Sequence, residues 1–263
     1  MTFSRLGQLG ELGNQMFQVA ATIGYARKYG KEEIFPVWKC GLTEKKYSDI
    51  FKGRIKESKG FIPTDFTISY MELKYIELQN FDGNVDLSGY FQSERYFSHC
   101  EEEIRELFRP NDKIRDYIEK KYMNILDQSS KVALHIRTYK RAANDDDMHA
   151  GCTLEYLEKS QKILDREVYV VFTDNIREAK KILPPNRNYF FPEKEENYID
   201  LFLMGYFDSF IISASSFGWW GAWLGRSSEK KVLVPEKWFN ENSRISHLND
   251  NDIVPASWTR VKG

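Results

Sequence analysis

The sequence predicts an α/β protein on parallel β-sheet of Rossmann-like layout, and three observations carry that prediction. The second half alternates short, continuous apolar runs with helical stretches, the pattern of strands buried on both faces and joined by helical crossovers. The run Ile211-Ile212-Ser213-Ala214 stops at Ser215-Ser216 and opens a helix carrying Trp219, Trp220 and Trp223. Near the N-terminus, Gly7, Gly10 and Gly13 punctuate the chain just before a largely apolar helical segment.

In chain order, the first half predicts a helix over 14–29, with Met16, Phe17, Ala20, Ile23 and Tyr25 as apolar contacts, then a strand at 34–37. Residues 39–81 are mixed, with short strands at 66–69 and 73–77. A strand at 85–90 follows, then a helix at 96–108 that ends at Pro110. The polar connection Asp127-Gln128-Ser129-Ser130 divides the chain into domains 1–127 and 128–263. Beyond it come a strand at 132–136, a helix at 153–164, a strand at 168–172 and a helix at 175–183 stopped by Pro184-Pro185. A strand at 189–191, a helix at 197–206, a strand at 210–214, a helix at 217–224 and a strand at 231–234 complete the series. Sheets of this kind bind ligands beyond the carboxyl ends of their strands.

Composition narrows the function classes. A chain of 263 residues suffices for two modest domains, and a net charge of −1 supplies no basic field for nucleic acid. Cys40, Cys100 and Cys152 lie far apart with no CxxC pair, which fits reduced thiols better than a disulfide framework or a zinc site. The N-terminus lacks a signal-peptide core, and no stretch reaches the ~20 apolar residues of a membrane span. The expectation is a cytoplasmic protein with no transmembrane segment, compatible with peripheral membrane association.

Four constellations could carry chemistry. The Ser215-Ser216-Phe217 corner presents free backbone amides and a helix dipole, an anion site suited to phosphate, while its tryptophans read as core. His135-Ile136-Arg137 ends a buried strand; the guanidinium there suits a diphosphate, or a structural salt bridge with His135 as a satisfied core histidine. Thr173-Asp174 ends the next strand, where the acid either meets a nucleoside or caps the following helix. Gly13-Asn14 opens the first helix, with Asn14 as cap or ligand donor. Asp145-Asp146-Asp147 with His149 has the look of a metal-binding acidic motif but sits in a polar loop, so a solvated loop is the better reading and no metal is expected.

Together these segments resemble the α-1,2-fucosyltransferases of glycosyltransferase family eleven. The likeness rests on Leu9-Gly10-Glu11-Leu12-Gly13-Asn14-Gln15-Met16-Phe17-Gln18, on Gly89-Tyr90-Phe91-Gln92 with Tyr96-Phe97, on 132–137 and on Phe172-Thr173-Asp174. It continues through Asp200-Leu201-Phe202-Leu203-Met204, the 213–224 segment and the closing 231–239 segment, all in the family's order. The resemblance implies a GT-B architecture, two Rossmann-like domains whose parallel sheets face each other across a cleft, the first on the acceptor side and the second binding the nucleotide sugar. It implies GDP-L-fucose as donor, a galactose-containing oligosaccharide as acceptor, inversion at the anomeric carbon, and no cofactor or metal. Arg137 would then neutralise the diphosphate with the amides of Ser215, Ser216 and Phe217. Thr173 and Asp174 would meet the nucleoside, and Gly13 and Asn14 would face the cleft. Glu11, His135 and Asp145 are the candidate bases. Two departures stand out. The family's second arginine and acid after Arg137 are replaced by Thr138, Tyr139, Lys140 and Arg141, and Asn-Ser-Thr-Phe-Ser becomes Ala214 through Gly218. They keep two alternatives open: transfer of a different nucleotide-linked sugar, or a protein that binds nucleotide or glycan without catalysis.

Overall fold

The structure is a computed structural model describing residues 1–71, 74–138, 149–240 and 249–263. The chain forms two compact units: Met1–Ile114 with Asn251–Pro255, and Arg115–Asp250 with Ala256–Gly263.

Unit 1 holds α1 (Leu12–Lys28), β1 (Phe35–Pro36), β2 (Glu57–Ser58), β3 (Phe66–Tyr70), β4 (Val85–Gly89) and α2 (Glu101–Leu107). The parallel pairs β1·β2 and β3·β4 are joined through the N-terminal residues. Thr2 exchanges backbone bonds with Val85 and Leu87 of β4 at 2.8 and 2.9 Å, and the Ile34 amide donates to Met1 at 2.9 Å. The two small parallel sheets, β1-β2 and β3-β4, are thus linked through the backbone of Met1 and Thr2. α1 follows the turn at 4–11 and is buried along nearly its whole length. It starts at Leu12, two residues ahead of the expected position, with Glu11 at its N-cap, so Asn14 lies inside the first turn and is not the cap. The expected helix at 96–108 is instead two short 3-10 turns, Glu94–Tyr96 and Ser98–Cys100, followed by α2. No strand forms at 74–77.

The division between units falls within α3 (Asp112–Lys121), ahead of the polar connection at 127–130. The second half of that helix and the residue after it are tied into unit 2: the Tyr117 and Tyr122 hydroxyls each donate to Glu195 at 2.6 Å, and Lys121 pairs with Glu193 and Glu195. α4 (Met123–Leu126) follows.

Unit 2 continues with β5 (Lys131–Ile136), α5 (Leu154–Ile163), β6 (Val168–Thr173), α6 (Ile176–Ile182) and β7 (Tyr189–Phe190). Then come α7 (Asn197–Met204), β8 (Ser209–Ile212), α8 (Ser216–Trp223), β9 (Lys231–Pro235) and β10 (Thr259–Val261). Its six strands pair in parallel in the order β10-β9-β8-β5-β6-β7. Counted from β5 this is the doubly wound 3-2-1-4-5-6 order, with its switch point between β5 and β8. Period-two alternation splits β5 between two faces. Val132, Leu134 and Ile136 join Tyr156, Leu157 and Ile211 in one buried cluster. Ala133 and His135 point to the opposite face, where His135 meets α8. There Trp219 stacks on Trp223 and meets Trp220 and Trp258, a fully apolar anchor for the helix.

Candidate functional site

Three neighbouring strands of unit 2 end together around the switch point. β5 runs into Arg137, β6 into Asp174 and β8 into Ser213. The chemistry at these ends begins with Ser213. Its amide donates to the His135 carbonyl at 3.0 Å, and its Oγ accepts the Arg137 amide at 3.0 Å. The same Oγ lies 2.9 Å from His135 Nδ1. With two lone pairs and one proton, the hydroxyl can accept the Arg137 amide and either donate to Nδ1 or accept from it. His135 is 5% exposed, and burial, reinforced by the Arg137 charge, pushes its pKa down to about 3. Such an imidazole is a weak base.

Arg137 reaches a partly exposed position and holds its guanidinium 3.5 Å from Asp174 Oδ2. Asp174 Oδ1 accepts two bonds from Thr138, one from its amide and one from its hydroxyl, each 2.9 Å. The helix-capping role goes to the next residue: Asn175 Oδ1 accepts the amides of Arg177 and Glu178, which opens α6. Thr173 Oγ1 accepts the Asn175 amide at 3.2 Å. Asp174, free of the capping task, stands beside Arg137, after which the sequence shows no acid. Thr138, at the position of the family's second arginine, is the residue that fixes Asp174.

α8 begins at the end of β8. Its N-cap Ser215 has extended backbone (φ −151°, ψ 132°), and no side chain caps the helix among the described residues. The first-turn amides of Ser216, Phe217 and Gly218 have no intrahelical acceptor and carry the positive end of the dipole. Gly218 is dictated by His135: a Cβ there would sit 2.6 Å from Nδ1. The residue that replaces a family serine therefore lets the helix terminus approach the end of β5. Phe217 covers the imidazole at a ring separation of 5.7 Å.

His149, which the sequence groups with the acidic run 145–147 in a polar loop, belongs to this end of unit 2. Its backbone bridges to Phe239, its ring lies 5.6 Å from that phenyl, and burial with the nearby Arg137 charge lowers its pKa to about 4. The acidic motif draws attention to the residue, but nothing local in the sequence places it beside Phe239 and within the field of Arg137. The residues 139–148, with Lys140, Arg141, Asp145, Asp146 and Asp147, lie outside the described residues.

In unit 1 the glycine-rich opening is a braced turn. Gln15 Nε2 donates to the Gly10 carbonyl at 2.7 Å, Gln18 Nε2 donates to the Leu9 carbonyl at 3.0 Å, and Gln15 Oε1 accepts the Trp38 indole at 2.8 Å. Gly13 is buried in the first turn of α1, and Asn14 Oδ1 accepts Gln92 Nε2 at 2.6 Å. Two separate motifs of the sequence thereby meet at one point. Glu11 is exposed at the head of the helix. Among the described residues no cluster of His, Cys, Asp and Glu could hold a metal ion, and no helix is long and apolar enough to cross a membrane.

A family model described as Glycosyl transferase family 11 matches residues 6–262. The chain is 28% identical to an alpha-1,2-colitosyltransferase of Escherichia coli, covering 96% of this chain and 97% of that one. It is 30% identical to the O-antigen biosynthesis glycosyltransferase WbnK of Escherichia coli over 64% of this chain and 59% of the relative. In fold it is similar to the NodZ alpha-1,6-fucosyltransferase soaked with GDP-fucose: TM-score 0.54, 13% identity, 85% and 89% of the two chains covered. The architecture is GT-B type, built from two Rossmann-like units.

Proposed function

The chain belongs to glycosyl transferase family 11, and from that premise we propose that it moves L-fucose from GDP-β-L-fucose to a galactose hydroxyl of an oligosaccharide. The transfer inverts the anomeric centre and makes an α-1,2 linkage. One observation carries the reading: a guanidinium and an uncapped helix terminus stand on adjacent strands at the switch point of a doubly wound sheet. That pairing suits a diphosphate better than any other common ligand group.

The acceptor hydroxyl attacks the anomeric carbon from the face opposite the diphosphate. The carbon–oxygen bond to GDP breaks, and the nucleotide leaves with the electron pair. Arg137 and the amides of Ser215, Ser216 and Phe217 stabilise the charge that develops on it, a task that a metal ion performs in other transferases. Asp174 holds Arg137 in place, and Thr173 turns the chain at the nucleoside end. The acceptor proton passes to a carboxylate, Glu11 or Asp145, since His135 is buried, bonded to Ser213 and too weakly basic. Gly13 and Asn14 line the path of the transferred sugar.

The test is incubation with GDP-fucose and lactose-type galactosides in excess chelator. A fucosylated disaccharide terminus is expected; failure across a galactoside panel, with GDP still bound, overturns the fucose reading. A second donor is favoured by the full-length likeness to the colitosyltransferase. Faster release of free nucleotide from activated colitose than from GDP-fucose would establish it.

A further inference from the structure

Far along α1 from Asn14, unit 1 contains a cavity of about 330 Å³, within the size range of small-ligand sites. Ala21, Gly24, Tyr25 and Lys28 share one helix face and form its floor. The floor is low because two of these residues are small. Gly24 cannot be larger: a Cβ there would lie 2.1 Å from the Tyr96 carbonyl oxygen. The walls are tyrosines whose hydroxyls are mostly committed to the backbone of residues 76–81. Tyr25 donates to Gln79 at 2.9 Å and accepts the Phe81 amide, Tyr29 donates to Leu78, and Tyr96 accepts the Ile76 amide at 3.3 Å. These bonds lay the 75–81 stretch over the helix and fix the ring positions around the hollow.

The rim is charged but balanced. Lys28 Nζ lies 2.7 Å from Glu77, and Arg95, stacked 4.0 Å over the Tyr75 ring, lies 2.8 Å from Asp252. An anion would meet the two carboxylates and a cation the two bases. A hydroxyl, which both donates and accepts, suits such a pair, and a solvent-screened ion pair rearranges readily to admit it. Tyrosine rings with donor–acceptor pairs at the edge match the apolar faces and hydroxyl rim of a sugar ring. Eleven residues separate Asn14 from Tyr25 on α1, about 16 Å of helix. A sugar ring in the cavity is therefore a different ring from one beside Asn14.

We propose that this tyrosine-walled cavity is a saccharide subsite, holding a ring of the acceptor glycan other than the one that receives the new sugar. The proposal rests on the reading of the chain as a glycosyltransferase. Its test is saturation-transfer NMR of a galactose-terminated tetrasaccharide on donor-free protein, with lactose as the short control. Saturation of the internal sugars is expected, falling at least fivefold in Tyr75→Ala, whose hydroxyl pins no backbone, and in Ala21→Leu, which fills the floor. In steady state the same variants should raise KM for the tetrasaccharide about tenfold and leave kcat and the lactose KM unchanged. Equal saturation in wild type and in both variants, with matching thermal transitions, overturns the subsite, as does no saturation of the wild type. The NMR measurement uses neither donor nor turnover, so it stands even where the fucose reading fails.

Discussion

Arg137 and Asp174 form a half-exposed pair whose value lies in placement, not in stability, because solvent screens their attraction. Substituting Arg137→Lys keeps the charge and loses the planar fork, and should weaken GDP binding by about 1.5–3 kcal/mol, read by calorimetry. Asp174→Ala should lower kcat about tenfold or more while the thermal transition moves by only a degree or two. An unchanged kcat would mean that the arginine is held by other groups. His135 gives a pH signature. Its folded pKa, about 3, lies below the unfolded value near 6.5, so the unfolded chain binds the extra proton in between. Its stabilising contribution is complete above pH 6.5 and disappears as pH falls toward 3. His149, lowered to about 4, acts in the same direction. Asp200 runs the other way: burial, with Glu195 nearby, raises its pKa to about 7, so it favours the fold at low pH and opposes it as pH rises through 7. Asp200→Asn should therefore raise the melting temperature at pH 8 more than at pH 5, as calorimetry would show.

At the level of elements, the site depends on two helices being held against strand ends. Tyr156 of α5 donates to the carbonyls of Ile212 at 2.8 Å and Leu233 at 3.0 Å, so one buried hydroxyl ties α5 to the end of β8 and the middle of β9. Tyr156→Phe removes that buried donor and should cost about 1–3 kcal/mol in denaturant unfolding. On the other face, Gly218 lets α8 close on His135. Gly218→Ala should destabilise by a similar amount and weaken GDP binding as well, since the helix terminus must shift outward. A stability loss without any loss of GDP affinity would separate α8 from the nucleotide site.

Across the whole molecule, two parallel-sheet units each place their functional loops by the same rule, a strand that ends and a helix that starts. In unit 2 the order of six strands, with β5 at the centre, makes the ends of β5 and β8 adjacent although 76 positions separate Arg137 from Ser213. In unit 1 the N-terminal residues link two small parallel sheets, and the turn before α1 is braced by Gln15 and Gln18.

The strands and helices of unit 2 were legible in the sequence because both faces of that sheet are covered, which writes unbroken apolar runs into the chain. The serine corner and Arg137 were legible because polar groups at the ends of such runs are few and costly without a role. Irregular regions were not. The 3-10 turns before α2 and the strap at 75–81 follow from tyrosine hydroxyls finding backbone partners many residues away, which no local pattern encodes. Likewise only the folded chain shows that Asp174 stands beside Arg137 and is bonded by Thr138, that Asn175 takes the capping role, and that His149 shares the field of Arg137. Those are meetings of distant residues, and strand order decides them.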